Sequence, residues 1–599
     1  MVASTPFALG AFGVLFMTSG INSVPGLPEA FKLCRRSLIA TGVFSFAINA
    51  LMLTPMFYMI NVFDKAVGNG SIPTLIALAT IALFLYALLA LLEWIRSLVL
   101  IHVAARLDIL LSPRVYELCF GGESFSINAA SVGGRPLQDL NALRQFVASP
   151  TCSVIFDLPW VPLFVALMFF FHPLLAVVGL TCMGIMAVIA FANQRYTTRG
   201  LKEANEKHSR ISVATQRNLR NSEAASAMGM ITSLMRRWRD AQNEMLDVQS
   251  STSAISSGYS ALIKTLTTVM QSVGITTGAV LAIQQEISPG VMIGAALLLG
   301  KSLQPIQQSV NGWKSFVEAR EQYSRINDLL TTFPPAEEKM SLPPISGRLT
   351  ARNAYIVSPG GKDPILADIN LELPAGTITM VLGGSAAGKS SLLKALIGLW
   401  PTMRGHVSID GAEAQNFSRD ELGPQIGYLP QNIELFDGSV AENIARFGQV
   451  DPEKVVSAAE DAGVHNMILT LPKGYDTGVN DPKSPLTQGQ KQRIALARAL
   501  YDQPKLIVLD EPNSNLDETG ELALANAISK MKSLGSSIVL VTHRQGALPL
   551  VDYLIIMENG RIRQQGARDA VIANLQASRQ RAQNQQSVDQ QPAEETQSA

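Results

Sequence analysis

The chain has 599 residues and carries 48 Lys plus Arg against 48 Asp plus Glu. That length excludes a single domain, and zero net charge excludes recruitment of nucleic acid by bulk charge. The four cysteines, Cys34, Cys119, Cys152 and Cys182, form no C-x-x-C pair, which excludes a disulfide framework or a cysteine zinc site and leaves each as a small buried hydrophobe.

In chain order, residues 6–19 are apolar but short, with no basic segment ahead and no convincing cleavage pattern behind. They read as an interfacial or loosely packed helix rather than a cleaved signal peptide. The basic cluster Lys32-Leu33-Cys34-Arg35-Arg36 follows and belongs on the cytoplasmic side. Six apolar segments then approach the ~20 residues needed to cross a hydrocarbon layer: 38–62, 72–103, 154–171, 174–191, 262–283 and 290–310. The third and fourth are split by a tight turn at His172-Pro173. The loops alternate. Those at 64–71, 172–173 and 284–289 are short and nearly free of basic residues, whereas 104–151 and 193–261 are long, basic and read as mostly helical. By the basic-residue bias the long loops and both chain ends are cytoplasmic.

Polar residues within the spans mark a path or an interface. Lys264 opens the fifth span, and Lys301, Gln304, Gln307 and Gln308 follow the apolar part of the sixth. These line a hydrated path, or the two lysines snorkel to the cytoplasmic surface. Asp157, at the head of the third span, reads as an interfacial helix-start residue.

Prolines and charges concentrate at residues 331–347, which reads as a linker, and the Gln- and Ser-rich tail reads as disordered. The predicted divisions are 1–36 (an N-terminal cytoplasmic or interfacial segment), 37–328 (a helical membrane domain), 329–347 (linker), 348–575 (an α/β nucleotide-binding domain) and 576–599 (tail).

Within the α/β part, Gly383-Gly384-Ser385-Ala386-Ala387-Gly388-Lys389-Ser390 fits G-x-x-x-x-G-K-[ST], between an apolar strand and a helix that begins Ser391-Leu392-Leu393. Its backbone N–H groups suit phosphate oxygens. Lys389 would reach the β- and γ-phosphates, and the Ser390 hydroxyl would ligate Mg²⁺. The strand Lys505-Leu506-Ile507-Val508-Leu509 ends in Asp510 and Glu511, placed to hold the metal and to polarise water. His543 follows another apolar strand and would position the same water. Gln431 would sense the metal and the γ-phosphate.

This order of phosphate loop, Gln431, Leu486-Thr487-Gln488-Gly489-Gln490, Asp510-Glu511, Ser514-Asn515-Leu516-Asp517 and His543 resembles the ATP-binding-cassette domain. Six spans ahead of one cassette resemble a half-size ABC exporter. The strings Asp157-Leu158-Pro159-Trp160, Gly427-Tyr428-Leu429-Pro430-Gln431, Leu435-Phe436-Asp437-Gly438 and Leu509-Asp510-Glu511-Pro512-Asn513-Ser514-Asn515-Leu516-Asp517 are similar to the permease/ATPase of bacterial type I secretion systems, in the protease- and RTX-exporter branch.

The resemblance implies a homodimer in the bacterial inner membrane. It implies ATP and Mg²⁺ as cofactors, a periplasmic membrane-fusion adaptor, an outer-membrane channel, and an unfolded secreted protein with a C-terminal signal as cargo. Each ATP would lie between residues Gly383 through Ser391 of one copy and Thr487, Gln488, Gly489, Gln490 and Asp517 of the other. Ser390, Gln431 and Asp510 would serve the metal, and Lys389, Glu511 and His543 the hydrolysis. The segment ahead of the first span is too short for the peptidase domain of some related exporters, so cargo cleavage is not expected.

Two departures from the pattern stand out. The usual Leu-Ser-Gly-Gly-Gln signature carries Thr487 and Gln488 here, and Asp481 would stand for an acid contacting the other copy. Near the expected adenine-stacking position the chain has Ser358, with Tyr355 three residues earlier. A slow ATPase with weak base selectivity follows. A lipid, drug or peptide exporter of the same architecture is the alternative. A channel or receptor gated by ATP is a further one, opposed by the intact Glu511 and His543.

Overall fold

The computed structural model describes residues 26–120, 135–333, 343–359, 361, 363–480, 486–514, 516, 518–542 and 544–577. The apolar stretch at 6–19, most of the linker, Asp481, Asn515, Asp517, His543 and the tail from 578 lie outside them. The chain divides into a helical unit and an α/β unit.

In the helical unit the apolar runs fold as helices because only internal pairing satisfies backbone groups in lipid. Five helical stretches are long and apolar enough to cross a membrane: Arg35–Val67, Ile72–Cys119, Pro150–Phe171, Pro173–Arg220 and Ile231–Ile283. Three of them overrun the expected spans. Ile72–Cys119 and Pro173–Arg220 have 48 residues each and Ile231–Ile283 has 53, or roughly 70–80 Å at the helical rise. Most of the second long basic loop is therefore a continuation of these helices, while in the first, residues 104–119 continue Ile72–Cys119 and Arg135–Val147 form a separate helix. At the tight turn, His172 Nδ1 accepts from the Leu174 N–H and so caps the helix that Pro173 starts.

The sixth expected span is the helix Pro289–Asn311. At 23 residues it is about 35 Å long. Lys301 and the glutamines after it make it amphipathic, which is why it differs from the other five. It is also the most enclosed, with Leu298, Leu299 and Leu303 buried among Phe164, Met168, Met186 and Ile263. Small residues bring the helices close. A Cβ on Gly278 would stand 2.9 Å from Met292, and one on Gly294 would stand 2.9 Å from Ile60.

The first span is not one regular helix. It runs Arg35–Leu51, Thr54–Asn61 and a π-helical turn Val62–Val67. From that turn, Asp64 accepts from the Ser288 hydroxyl at 2.5 Å and the Gly290 N–H at 2.9 Å, so it caps the Pro289–Asn311 helix.

Asp157 is not a helix-start residue. It ends the helix Pro150–Asp157, and the 3-10 turn Leu158–Trp160 separates it from Val161–Phe171. Its carboxylate accepts from Arg96 at 2.8 Å and from Asn49 at 3.0 Å, tying three spans together. Arg96 lies in the middle of an apolar helix, where an unpaired charge would be costly.

The α/β unit has two sheets. Strands β1 (Leu349–Val357), β2 (Pro364–Leu373), β4 (Thr402–Ile409) and β5 (Ala412–Glu413) form an antiparallel sheet in the order β2-β1-β4-β5. Strands β3 (Ile378–Gly383), β6 (Ile426–Leu429), β7 (Leu506–Asp510), β8 (Ser537–Val541), β9 (Tyr553–Glu558) and β10 (Arg561–Ala567) form the other, in the order β10-β9-β3-β8-β7-β6. All pairs in this larger sheet are parallel except β9 with β10. Strands β7 and β8 are buried at every residue, as their unbroken apolar runs require of strands covered on both faces. One face packs on the helices Pro452–Asp461 and Gln488–Leu500, the other on the helix Lys389–Leu396 and the antiparallel sheet.

Candidate nucleotide site

Strand register places the predicted groups at one edge. Val381 of β3 stands opposite Val541 of β8, and Val541 stands opposite Asp510 of β7. Leu429 of β6 stands opposite Leu509. The phosphate loop after β3, Asp510 and Glu511 at the end of β7, and Gln431 two residues beyond β6 therefore leave the carboxyl ends of neighbouring strands, about 4.8 Å apart. Open parallel sheets bind ligands at that edge. His543, predicted to serve the same site, lies outside the described residues.

The loop has the backbone its sequence calls for. Gly388 has φ +93°, and a Cβ there would stand 2.5 Å from Leu366, so both conformation and space require glycine. Ala386 is also left-handed, at φ 63°. Lys389 begins the helix and is buried. Its Nζ donates to the Gly383 and Gly384 carbonyls, both at 2.9 Å, so the ammonium lies folded over the loop.

Asp510 is buried, and its Oδ1 has no hydrogen-bond partner. Burial pushes its carboxyl above the usual aspartate range and adjacent Glu511 adds to this, while the Ser390 hydroxyl and Lys394 and Lys389 oppose the shift. A buried carboxylate oxygen without a donor, beside a serine hydroxyl, is a hard-oxygen pair that fits Mg²⁺. Glu511 adopts φ 51°, strained for a glutamate, while its N–H donates to the Val541 carbonyl at 3.0 Å.

Two supporting residues were not foreseen from sequence. Gln492, buried in the helix Gln488–Leu500, donates to the Pro512 carbonyl at 2.5 Å, steadying the turn after Glu511. Asn513 Oδ1 accepts from the Thr542 hydroxyl at 3.0 Å, and that hydroxyl accepts from the Arg544 N–H, so the two strand ends are bonded around position 543. Only Asn513's place within the string carrying Glu511, and Gln492's position two residues beyond the string ending at Gln490, could have drawn notice to them.

The Thr487–Gln490 segment is a separate element. Thr487 caps the helix Gln488–Leu500, accepting from the Gln490 N–H at 3.3 Å while its own N–H donates to Gln490 Oε1 at 2.9 Å. Its hydroxyl is thus committed to the helix start, and Gln488 is exposed there.

Residues 366–514 match the family described as ABC transporter, and residues 38–304 match ABC transporter transmembrane region. The chain is 38% identical over 559 residues to the type I secretion system ATP-binding protein PrsD of Rhizobium meliloti (strain 1021), covering 93% of this chain and 96% of the relative. The chain belongs to the ABC transporter family. As an ABC transporter it is a membrane-spanning ATPase whose hydrolysis is coupled to transport. It is also 27% identical over 562 residues to the leukotoxin export ATP-binding protein LtxB of Aggregatibacter actinomycetemcomitans, covering 91% of this chain and 78% of the relative. Over 538 residues it is 27% identical to the leukotoxin translocation ATP-binding protein LktB of Mannheimia haemolytica, covering 87% and 74%. A bacterial Atm1-family ABC exporter solved with ATP bound shares the ABC transporter's fold, with a TM-score of 0.77 at 19% identity over 90% of this chain and 96% of that one.

Proposed function

We propose that this chain is the permease/ATPase of a type I secretion system, a homodimer in the bacterial inner membrane with its α/β unit in the cytoplasm. It exports an unfolded protein carrying a C-terminal signal, with a periplasmic membrane-fusion adaptor and an outer-membrane channel as partners. The observation that carries this reading is the 38% identity over nearly the whole of a type I secretion ATP-binding protein.

In this reading the N–H groups from Gly383 to Ser391 bind the phosphates, and Lys389 turns from the Gly383 and Gly384 carbonyls to the transferred phosphoryl group. Ser390, Asp510 and Gln431 hold Mg²⁺, whose charge offsets that of the phosphates when it is bound. Glu511 orients and polarises the attacking water, and His543 holds it. Thr487, Gln488, Gly489, Gln490 and Asp517 of the other copy close over the nucleotide. Deleting the gene should remove a protein from the culture medium. The wild-type gene should restore it, and the Glu511→Gln gene should not. Unchanged medium proteins after deletion would contradict the reading.

A further inference from the structure

The helical unit encloses a polar cleft of about 480 Å³, in the size range of sites that hold a few small groups rather than a folded domain. One wall is the helix Pro289–Asn311. Lys301, Gln304, Gln308 and Asn311 recur along it at intervals of three, four and three and all line the cleft. That spacing makes a single stripe down one face of the helix. Its ten-residue extent is about 15 Å at the helical rise, which an extended chain covers in about four to five residues.

The chemistry of the stripe is that of a strand edge. Each of the three carboxamides presents a donor and an acceptor without net charge. Among the described residues, the side chains of Gln308 and Asn311 make no hydrogen bond, and both residues are exposed. Gln304 meets only Lys301 Nζ, at 3.4 Å. Pro305 also lines the cleft and has no N–H, so the Lys301 carbonyl lacks the donor it would normally find four residues on. The charges across the cleft balance. Arg96 is bound to Asp157, and Glu93 is opposite in sign to Lys301. A cleft for an anionic headgroup would keep an excess of cations.

We infer that this stripe is a docking ladder for the backbone of the exported polypeptide, receiving a short extended segment through its peptide N–H and C=O groups whatever its side chains. The inference rests on the protein-export reading and names the place in the membrane unit where cargo is held.

The test uses cells that secrete through this transporter. Gln304→Leu with Gln308→Leu should lower secretion about tenfold, the factor that loss of one or two net hydrogen bonds produces. The pair Gln304→Asn with Gln308→Asn, which keeps both carboxamides, should restore most of it. Membrane amounts are measured alongside. If the double leucine protein does not accumulate, the single Gln308→Leu at the exposed position replaces it. A benzophenone side chain at Asn311 should couple to the secreted protein under light, and one at Phe170, 85% exposed on an apolar helix, should not. Secretion at the wild-type level from the leucine variants would overturn the inference, as would coupling at Asn311 to phospholipid alone. Wild-type cells that secrete nothing would instead sink the export reading itself.

Discussion

At the scale of single residues, the nucleotide site trades stability for chemistry. Asp510 is buried with an oxygen that finds no donor, and burial raises its carboxyl above the ordinary range. The folded state therefore binds this proton more tightly than the unfolded chain. Stability from this group is present at low pH and declines as pH rises through the two values. Asp510→Asn should raise the melting temperature of the nucleotide-free protein by about 2–4 °C, for relief of roughly 1 kcal/mol. The same change should abolish Mg²⁺-dependent hydrolysis. Thermal unfolding with and without Mg²⁺ checks both halves, and a lowered melting temperature without the metal would contradict the assignment. Gly388→Ala addresses the loop itself. A left-handed non-glycine residue costs roughly 1–2 kcal/mol, and the added methyl group would meet Leu366. Nucleotide affinity should fall about tenfold or more in a fluorescent-ATP titration.

At the scale of elements, the parallel sheet was legible in the sequence. Its strands are continuous apolar runs ending in functional residues, so the pattern states both the strand and the edge that carries chemistry. The helical unit was less so. Where the apolar runs end, helix continues through polar sequence, and composition marks the membrane boundary but not the end of the helix. Asp157 was misplaced because a carboxylate near the head of an apolar span favours a helix N-terminus, whereas the helix already begins at Pro150 and a 3-10 turn follows Asp157. Its partner Arg96 lies 61 positions away, and no local pattern announces such a contact. The pair sets a prediction at this scale. Arg96→Leu or Asp157→Leu alone leaves a buried charge and should cost about 3–5 kcal/mol, and the double replacement should cost less than either single one. Unfolding of the detergent-solubilised variants measures this, and additive costs would show that the pair is not coupled.

For the whole molecule, in the proposed homodimer two cassettes would meet so that the Thr487–Gln490 segment of one copy reaches the phosphate loop of the other. The helix that Thr487 caps is intact, so the altered signature preserves the element and changes only its tip. In that arrangement the bulk of Gln488 would lie where backbone should approach phosphate. Gln488→Gly should therefore increase turnover several-fold, and equal turnover would show that this glutamine does not slow the enzyme. The central claim is that ATP hydrolysis at the edge formed by Lys389, Asp510 and Glu511 drives this transporter. It is tested most directly by steady-state ATP turnover of the full-length protein reconstituted in lipid, wild type beside Lys389→Ala and Glu511→Gln. The wild-type protein should hydrolyse ATP, and both variants should fall by about 100-fold or more. Turnover at the wild-type rate in either variant would contradict the account.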